Sequence, residues 1–134
     1  MKFLLVDDDA RLQLLLKKYL DPYGISVSAL NGAEAIRLFR EAIAADAAFD
    51  VVFMDINMPD MGGPQVVDEL RIIERTHGVD ESSGFKLVMI SAYAETMAVC
   101  KTVFHGSADA YIAKPFKKKA FIEELVQRHI LPES

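Results

Sequence analysis

Tryptophan is absent, and cysteine occurs once, at Cys100. A single thiol excludes a disulfide within the chain and suits a reducing compartment. Cys100 falls in a helical pattern, where it is expected to serve as a small apolar residue. Without an indole, ligand binding must be followed by another probe. Long hydrophobic runs are missing too. The N-terminus, Met1-Lys2-Phe3-Leu4-Leu5-Val6, has only four consecutive apolar residues after Lys2 and then three aspartates, which fits neither a signal peptide nor a membrane span. A cytoplasmic protein with no membrane attachment is expected. Basic residues are in the minority: 15 Lys and Arg face 20 Asp and Glu, a net charge of −5. That balance disfavours direct nucleic-acid binding, which needs clustered Lys and Arg. No internal repeat, low-complexity tract or interdomain linker interrupts the 134 residues. One domain over 1–134, with its core from about 2 to 130, is therefore expected. Met1 directly before the first apolar run reads as a natural start, and no DNA-binding domain is expected to follow; a complete single-domain protein and a piece of a longer chain both stay open.

What is present is a regular alternation. Apolar residues make up 51% of the chain, enough for a sizeable core. Short apolar runs occur at Phe3–Val6, Ile25–Leu30, Val51–Met54, Leu87–Ile90 and Ala110–Ala113, and such runs read as strands buried on both faces. Helical spacing separates and follows them: Leu12, Leu15, Leu16 and Tyr19; Ala35, Ile36, Phe39 and Ile43; Val66, Val67, Leu70 and Ile73; Met97, Cys100, Val103 and Phe104; Phe121, Ile122, Leu125 and Val126. Strands alternating with helices imply βαβ units and a parallel sheet covered on both sides, with right-handed crossovers. Asp21-Pro22-Tyr23-Gly24 is expected to stop the first helix, Asn31-Gly32 to precede the second and His105-Gly106 to end the fourth. Thr76 to Gly84 reads as an exposed loop.

Carboxylates collect where such a sheet does its chemistry. Asp7, Asp8 and Asp9 follow the first run and Asp55 follows the third. In an open α/β sheet the carboxyl ends of the strands share one edge, and the flavodoxin-like order 2-1-3-4-5 sets strand 1 beside strand 3. Carboxylates brought that close repel unless a cation joins them. A hard divalent ion with oxygen ligands, Mg²⁺ or Mn²⁺, is the expected remedy. Asp9, directly before Ala10-Arg11-Leu12, is expected to cap the first helix; capping does not account for three acids in a row, so Asp7 and Asp8 are assigned to the metal site. His77, His105 and His129 show no metal-ligand or catalytic-triad spacing. Lys117, Lys118 and Lys119 open the last helix, the unfavourable end for cations.

Five separated segments, in order, resemble the receiver domain of bacterial two-component response regulators. They are Val6-Asp7-Asp8, Met54-Asp55-Ile56-Asn57-Met58-Pro59, Ile90-Ser91-Ala92, Tyr111 and Lys114-Pro115-Phe116. The resemblance runs from Lys2 to about Ile130. It implies a doubly wound (βα)5 flavodoxin-like fold with a five-stranded parallel sheet in the order 2-1-3-4-5. Asp55 would take a phosphoryl group from a sensor histidine kinase or a histidine phosphotransfer protein. Asp8, an Asp55 oxygen and the Asn57 carbonyl would hold the ion, with Asp7 on a metal-bound water. Lys114 and Ser91 would contact the phosphoryl oxygens, and Pro115 would follow a cis peptide. Tyr111 would move inward as Ser91 closes, switching the face built by the fourth helix, fifth strand and fifth helix toward a downstream protein. Asn57 and Tyr93 would tune dephosphorylation. The protein would be a monomer, with dimerisation on phosphorylation left open, and no enzyme beyond its own phosphorylation and dephosphorylation.

Three other readings share parts of this pattern. A pseudo-receiver, working without phosphorylation, usually lacks an acid, the lysine or the acceptor, and none is missing here. A haloacid-dehalogenase-type hydrolase needs a second Asp two residues past its nucleophile, where this chain has Asn57. A flavodoxin-like cofactor carrier would cradle phosphate in its first loop, where Asp7-Asp8-Asp9 would repel it.

Overall fold

The computed structural model describes residues 1–58, 61–80, 82–104 and 108–133, with the backbone alone at 103 and 104. Strands and helices alternate through it: β1 (Lys2–Val6), α1 (Ala10–Leu20), β2 (Ile25–Ala29), α2 (Gly32–Ala44), β3 (Val51–Asp55), α3 (Gly63–Thr76), β4 (Lys86–Ser91), α4 (Ala94–Phe104), β5 (Ala110–Ala113) and α5 (Lys118–Gln127). The strands form one parallel sheet in the order β2-β1-β3-β4-β5. This is the flavodoxin-like arrangement expected from the sequence. Among the described residues, no helix is long and apolar enough to cross a membrane.

Alternation along each strand divides the core into two layers. Leu4, Val6, Val52 and Met54 meet Ala35 and Phe39 of α2, Val66 and Leu70 of α3, and Met97 and Cys100 of α4. Phe3, Leu5, Val51 and Phe53 meet Leu16 and Leu20 of α1 and Phe121 and Leu125 of α5. The central strands β1 and β3 are buried on both faces, as their unbroken apolar runs require. β2 departs from that expectation. It is an edge strand, Ile25 is 70% exposed, and only Ala29 is fully enclosed. The helices cover the middle of the sheet more completely than its rim.

The turn signals hold with small shifts. Asp21-Pro22-Tyr23 forms one turn of 3-10 helix after α1. Asn31 caps α2 through its side chain, so Gly32 is the helix's first residue instead of preceding it. Asp9 caps α1 by accepting from the Arg11 and Leu12 N–H groups. Thr76 is still helical and His77 closes α3, its ring nitrogen 2.9 Å from the Ile73 carbonyl, so the loop starts two residues later than expected. On α1, Leu15 faces outward and Gln13 is buried. Pro59, Asp60, His105 and Gly106, and the side chains of Val103 and Phe104, lie outside the described residues.

Candidate functional site

Several buried polar side chains gather at the carboxyl edge of the sheet: Asp7, Gln13, Asp55 and Ser91. The topology explains the meeting. β1 and β3 are neighbours, with Val6 opposite Met54, so the next residues, Asp7 and Asp55, emerge side by side. β4 extends as far as Ser91, opposite Ala113 of β5. Lys114 then follows, its N–H donating to the Ser91 carbonyl at 2.8 Å. The Lys114–Pro115 peptide is cis, as expected.

Asp7, Asp8 and Asp55 each offer a carboxylate oxygen, and these oxygens lie within 4.8 Å of one another. Asp7 and Asp55 are buried, while Asp8 is exposed. The Lys114 ammonium sits between the two buried acids, 2.9 Å from Asp7 Oδ2 and 3.9 Å from Asp55 Oδ2. Asp7 Oδ1 accepts the Asp9 N–H at 2.9 Å, and Asp55 Oδ1 accepts the Asn57 N–H at 3.1 Å. Asp55 Oδ2 makes no hydrogen bond among the described residues and faces only the longer contact to Lys114. One ammonium against three carboxylates leaves the site negative. Burial first, and then the neighbouring charge of Asp7, raise the Asp55 carboxyl from an ordinary 3.8 to about 6, against the opposing pull of Lys114. Hard oxygen donors, excess negative charge and an exposed member suit a divalent cation that keeps part of its water shell.

The backbone holds Asp55 in place. Asp55 pairs with Ile90, and the Ile56 N–H donates to the Ile90 carbonyl at 2.9 Å. Behind it, α3 begins at Gly63 in close contact. A Cβ on Gly63 would stand 2.6 Å from the Asp55 carbonyl oxygen and 3.0 Å from Ile56 Cα, so no larger residue fits without moving the strand end.

The remaining expected residues lie on the rim or just behind it. Ser91 is buried, but its hydroxyl is tied locally: Oγ accepts the Tyr93 N–H at 3.0 Å and donates to the Tyr93 carbonyl at 3.2 Å. It is not the residue before α4, which begins at Ala94. The Tyr93 side chain is 61% exposed, and Asn57 is exposed beside Asp55. Tyr111 is half-buried. Its hydroxyl is enclosed with no well-formed hydrogen bond among the described residues, and burial and the nearby Cys100 thiol push the phenol upward. The Lys101 ammonium lies 5.3 Å from the Tyr111 ring centre. Gln13 was not foreseen. Its only signal in the sequence is a polar residue at an inward helical position, next to Leu12 and one turn from Leu16.

The response regulator receiver domain family matches residues 3–126. A two-component response regulator of Arabidopsis thaliana is 31% identical over 132 residues, which is 98% of this chain and 22% of that protein. The chemotaxis protein CheY of Thermotoga maritima is 30% identical over 126 residues, 92% of this chain and 93% of that protein. Among solved structures, the chemotaxis protein CheY4 of Vibrio cholerae aligns with a TM-score of 0.73 at 25% identity, covering 94% of this chain and 96% of that one. The chain thus spans nearly all of a chemotaxis regulator but about a fifth of the plant regulator. With the sheet order, the acidic pocket and the family match in agreement, this chain belongs to the response regulator receiver domain family.

Proposed function

We propose that this domain accepts a phosphoryl group on Asp55 from a phosphohistidine of a sensor kinase or phosphotransfer protein. The observation that carries this reading is the convergence of Asp7, Asp8 and Asp55 with Lys114 at one sheet edge. An Asp55 oxygen attacks the phosphorus. The P–N bond breaks, its electron pair passes to the imidazole, and a P–O bond leaves an acyl phosphate. A carboxyl of about 6 is ionised at neutral pH yet more basic than an exposed aspartate, which favours it as a nucleophile. Lys114, already 3.9 Å from Asp55 Oδ2, is placed to offset charge on the phosphoryl oxygens.

Asp7, Asp8, Asp55 and the Asn57 carbonyl are the groups that would hold Mg²⁺ or Mn²⁺, which when bound would neutralise further phosphoryl charge. Ser91 would exchange its bonds to the Tyr93 backbone for one to a phosphoryl oxygen. Tyr111 is the aromatic that would register this change, and its half-buried ring beside the Lys101 ammonium supports that role. The α4–β5–α5 face carries a groove of about 530 Å³ lined in part by Lys101, Tyr111, Phe116, Lys117 and Arg128. Glu124 also lines it and pairs with Arg128 at 2.9 Å, so Lys101 and Lys117 are the cations that would meet an acidic downstream protein. The domain would act on no substrate other than its own aspartate.

Incubation with acetyl phosphate and Mg²⁺, followed by intact-mass spectrometry, tests the reading. One phosphoryl adduct is expected on the wild type and none on Asp55→Asn. No adduct, or one that persists in Asp55→Asn, would leave a phosphorylation-independent interaction module as the better account.

A further inference from the structure

Gln13 is 3% exposed on the inner face of α1. Its Nε2 lies 2.8 Å from the Leu5 carbonyl, 3.1 Å from that of Asp7 and 3.0 Å from that of Ala29. Three acceptors around one amide nitrogen fix the orientation of the carboxamide, since the reverse would set an oxygen against three oxygens. Oε1, at the other end, is buried with no partner among the described residues. An unpaired buried acceptor is unfavourable, and the neighbouring inward positions are filled by leucines that carry no such penalty. Whatever the glutamine contributes must therefore come from its nitrogen.

The three carbonyls have a common place in the fold. Leu5 and Asp7 bracket the last residue of β1, and Ala29 ends β2. The registers of β1 with both neighbours stop at Val6. The Asp7 N–H still reaches the Ala29 carbonyl at 3.1 Å, but the Asp7 carbonyl lies beyond the ladder. Gln13 takes up that carbonyl and joins it to the ends of two strands. Asp55, by contrast, is still paired within the sheet. At Asp55 the strand pairing is complete; at Asp7 it reaches only the N–H, and a helix side chain takes the carbonyl.

We propose that Gln13 is a positioning residue for this site, holding the Asp7–Asp8 segment at the height where its carboxylates share a divalent cation with Asp55. The proposal rests on the reading of the site as a cation-dependent phosphoacceptor. It is tested by titrating the full chain, labelled with ¹⁵N, with Mg²⁺. In the wild type the Gln13 side-chain amide is expected to shift with the same midpoint as the Asp8 and Asp55 backbone amides. A Gln13 signal that stays still while those move would overturn the proposal, and this arm needs no variant. Gln13→Met keeps the length but loses both donors. Its Mg²⁺ dissociation constant is expected to rise about tenfold, the low end for losing a partner that orients a metal ligand. Ile130→Ala, at the opposite edge of the sheet, controls for general destabilisation and should leave the constant unchanged. Equal affinity in wild type and Gln13→Met, or an equal loss in Ile130→Ala, would overturn the proposal. A wild type that binds no Mg²⁺ would instead overturn the metal-site reading, and this inference with it.

Discussion

Neutralising Asp55 should stabilise the metal-free fold, and the gain should depend on pH in a defined way. The carboxyl rises from 3.8 to about 6 on folding because burial and Asp7 disfavour its charge. A group whose folded value is raised binds protons more tightly in the native state. The wild type therefore loses stability as pH rises from about 4 to 6, then levels off. Asn cannot ionise, and its side-chain oxygen can still accept the Asn57 N–H that Asp55 Oδ1 accepts at 3.1 Å. Roughly two pKa units at 1.36 kcal/mol each set an upper gain of about 3 kcal/mol for Asp55→Asn at pH 8, and about 1.5 kcal/mol at pH 5. Urea unfolding followed by far-UV circular dichroism in EDTA would measure both. Saturating Mg²⁺ should narrow the gap at pH 8, because a cation stabilises only the variant that binds it. An Asn variant less stable than wild type at pH 8, or a gap of the same size at both pH values, would refute the argument that buried like charges strain this edge.

Lys114→Met should slow phosphorylation by acetyl phosphate about 100-fold or more by removing the charge beside Asp55; stopped-time mass spectrometry reads the rate. The same variant leaves the buried Asp7 carboxylate without its 2.9 Å partner, and should lower metal-free stability by about 2 kcal/mol, less than for a fully buried pair because Lys114 is partly exposed. Gly63→Ala sets a methyl 2.6 Å from the Asp55 carbonyl; a loss of about 1–3 kcal/mol in urea unfolding is expected, together with slower phosphorylation. Tyr93→Ala should speed loss of the acyl phosphate if the exposed ring screens it from water, and an unchanged decay of the phosphorylated mass would dismiss that role.

The architecture could be read from the chain because its signals are local and repeat. Each central strand is a continuous apolar run such as Val51–Met54, and most helices show their buried stripe, as Val66, Val67, Leu70 and Ile73 do. The acidic site was legible for a related reason. A parallel sheet brings strand ends together, so Asp7 and Asp55 meet although 48 residues separate Lys2 from its contact with Asp50 at the far end of the same strands. What escaped were partnerships between positions that pattern alone makes look wrong. Gln13 stands on the inner face of α1, where an apolar residue is expected, and its amide nitrogen meets three backbone carbonyls. Arg71 and Glu74 look like solvent-facing charges, but they form a 2.8 Å pair that also binds both backbone groups of Phe85. At Ile25 the apolar run pointed to burial on both faces, while the expected order 2-1-3-4-5 already set strand 2 at the edge, where Ile25 is 70% exposed.

The position of a bound divalent ion decides whether the ends of β1 and β3 form one site. Substoichiometric Mn²⁺, added to the ¹⁵N-labelled chain, broadens the amides nearest to it. The expected result is broadening that starts at residues 7–9 and 55–57 and disappears in Asp8→Asn. Broadening centred on another acidic surface, or unchanged by Asp8→Asn, would contradict a cation shared between the end of β1 and the end of β3.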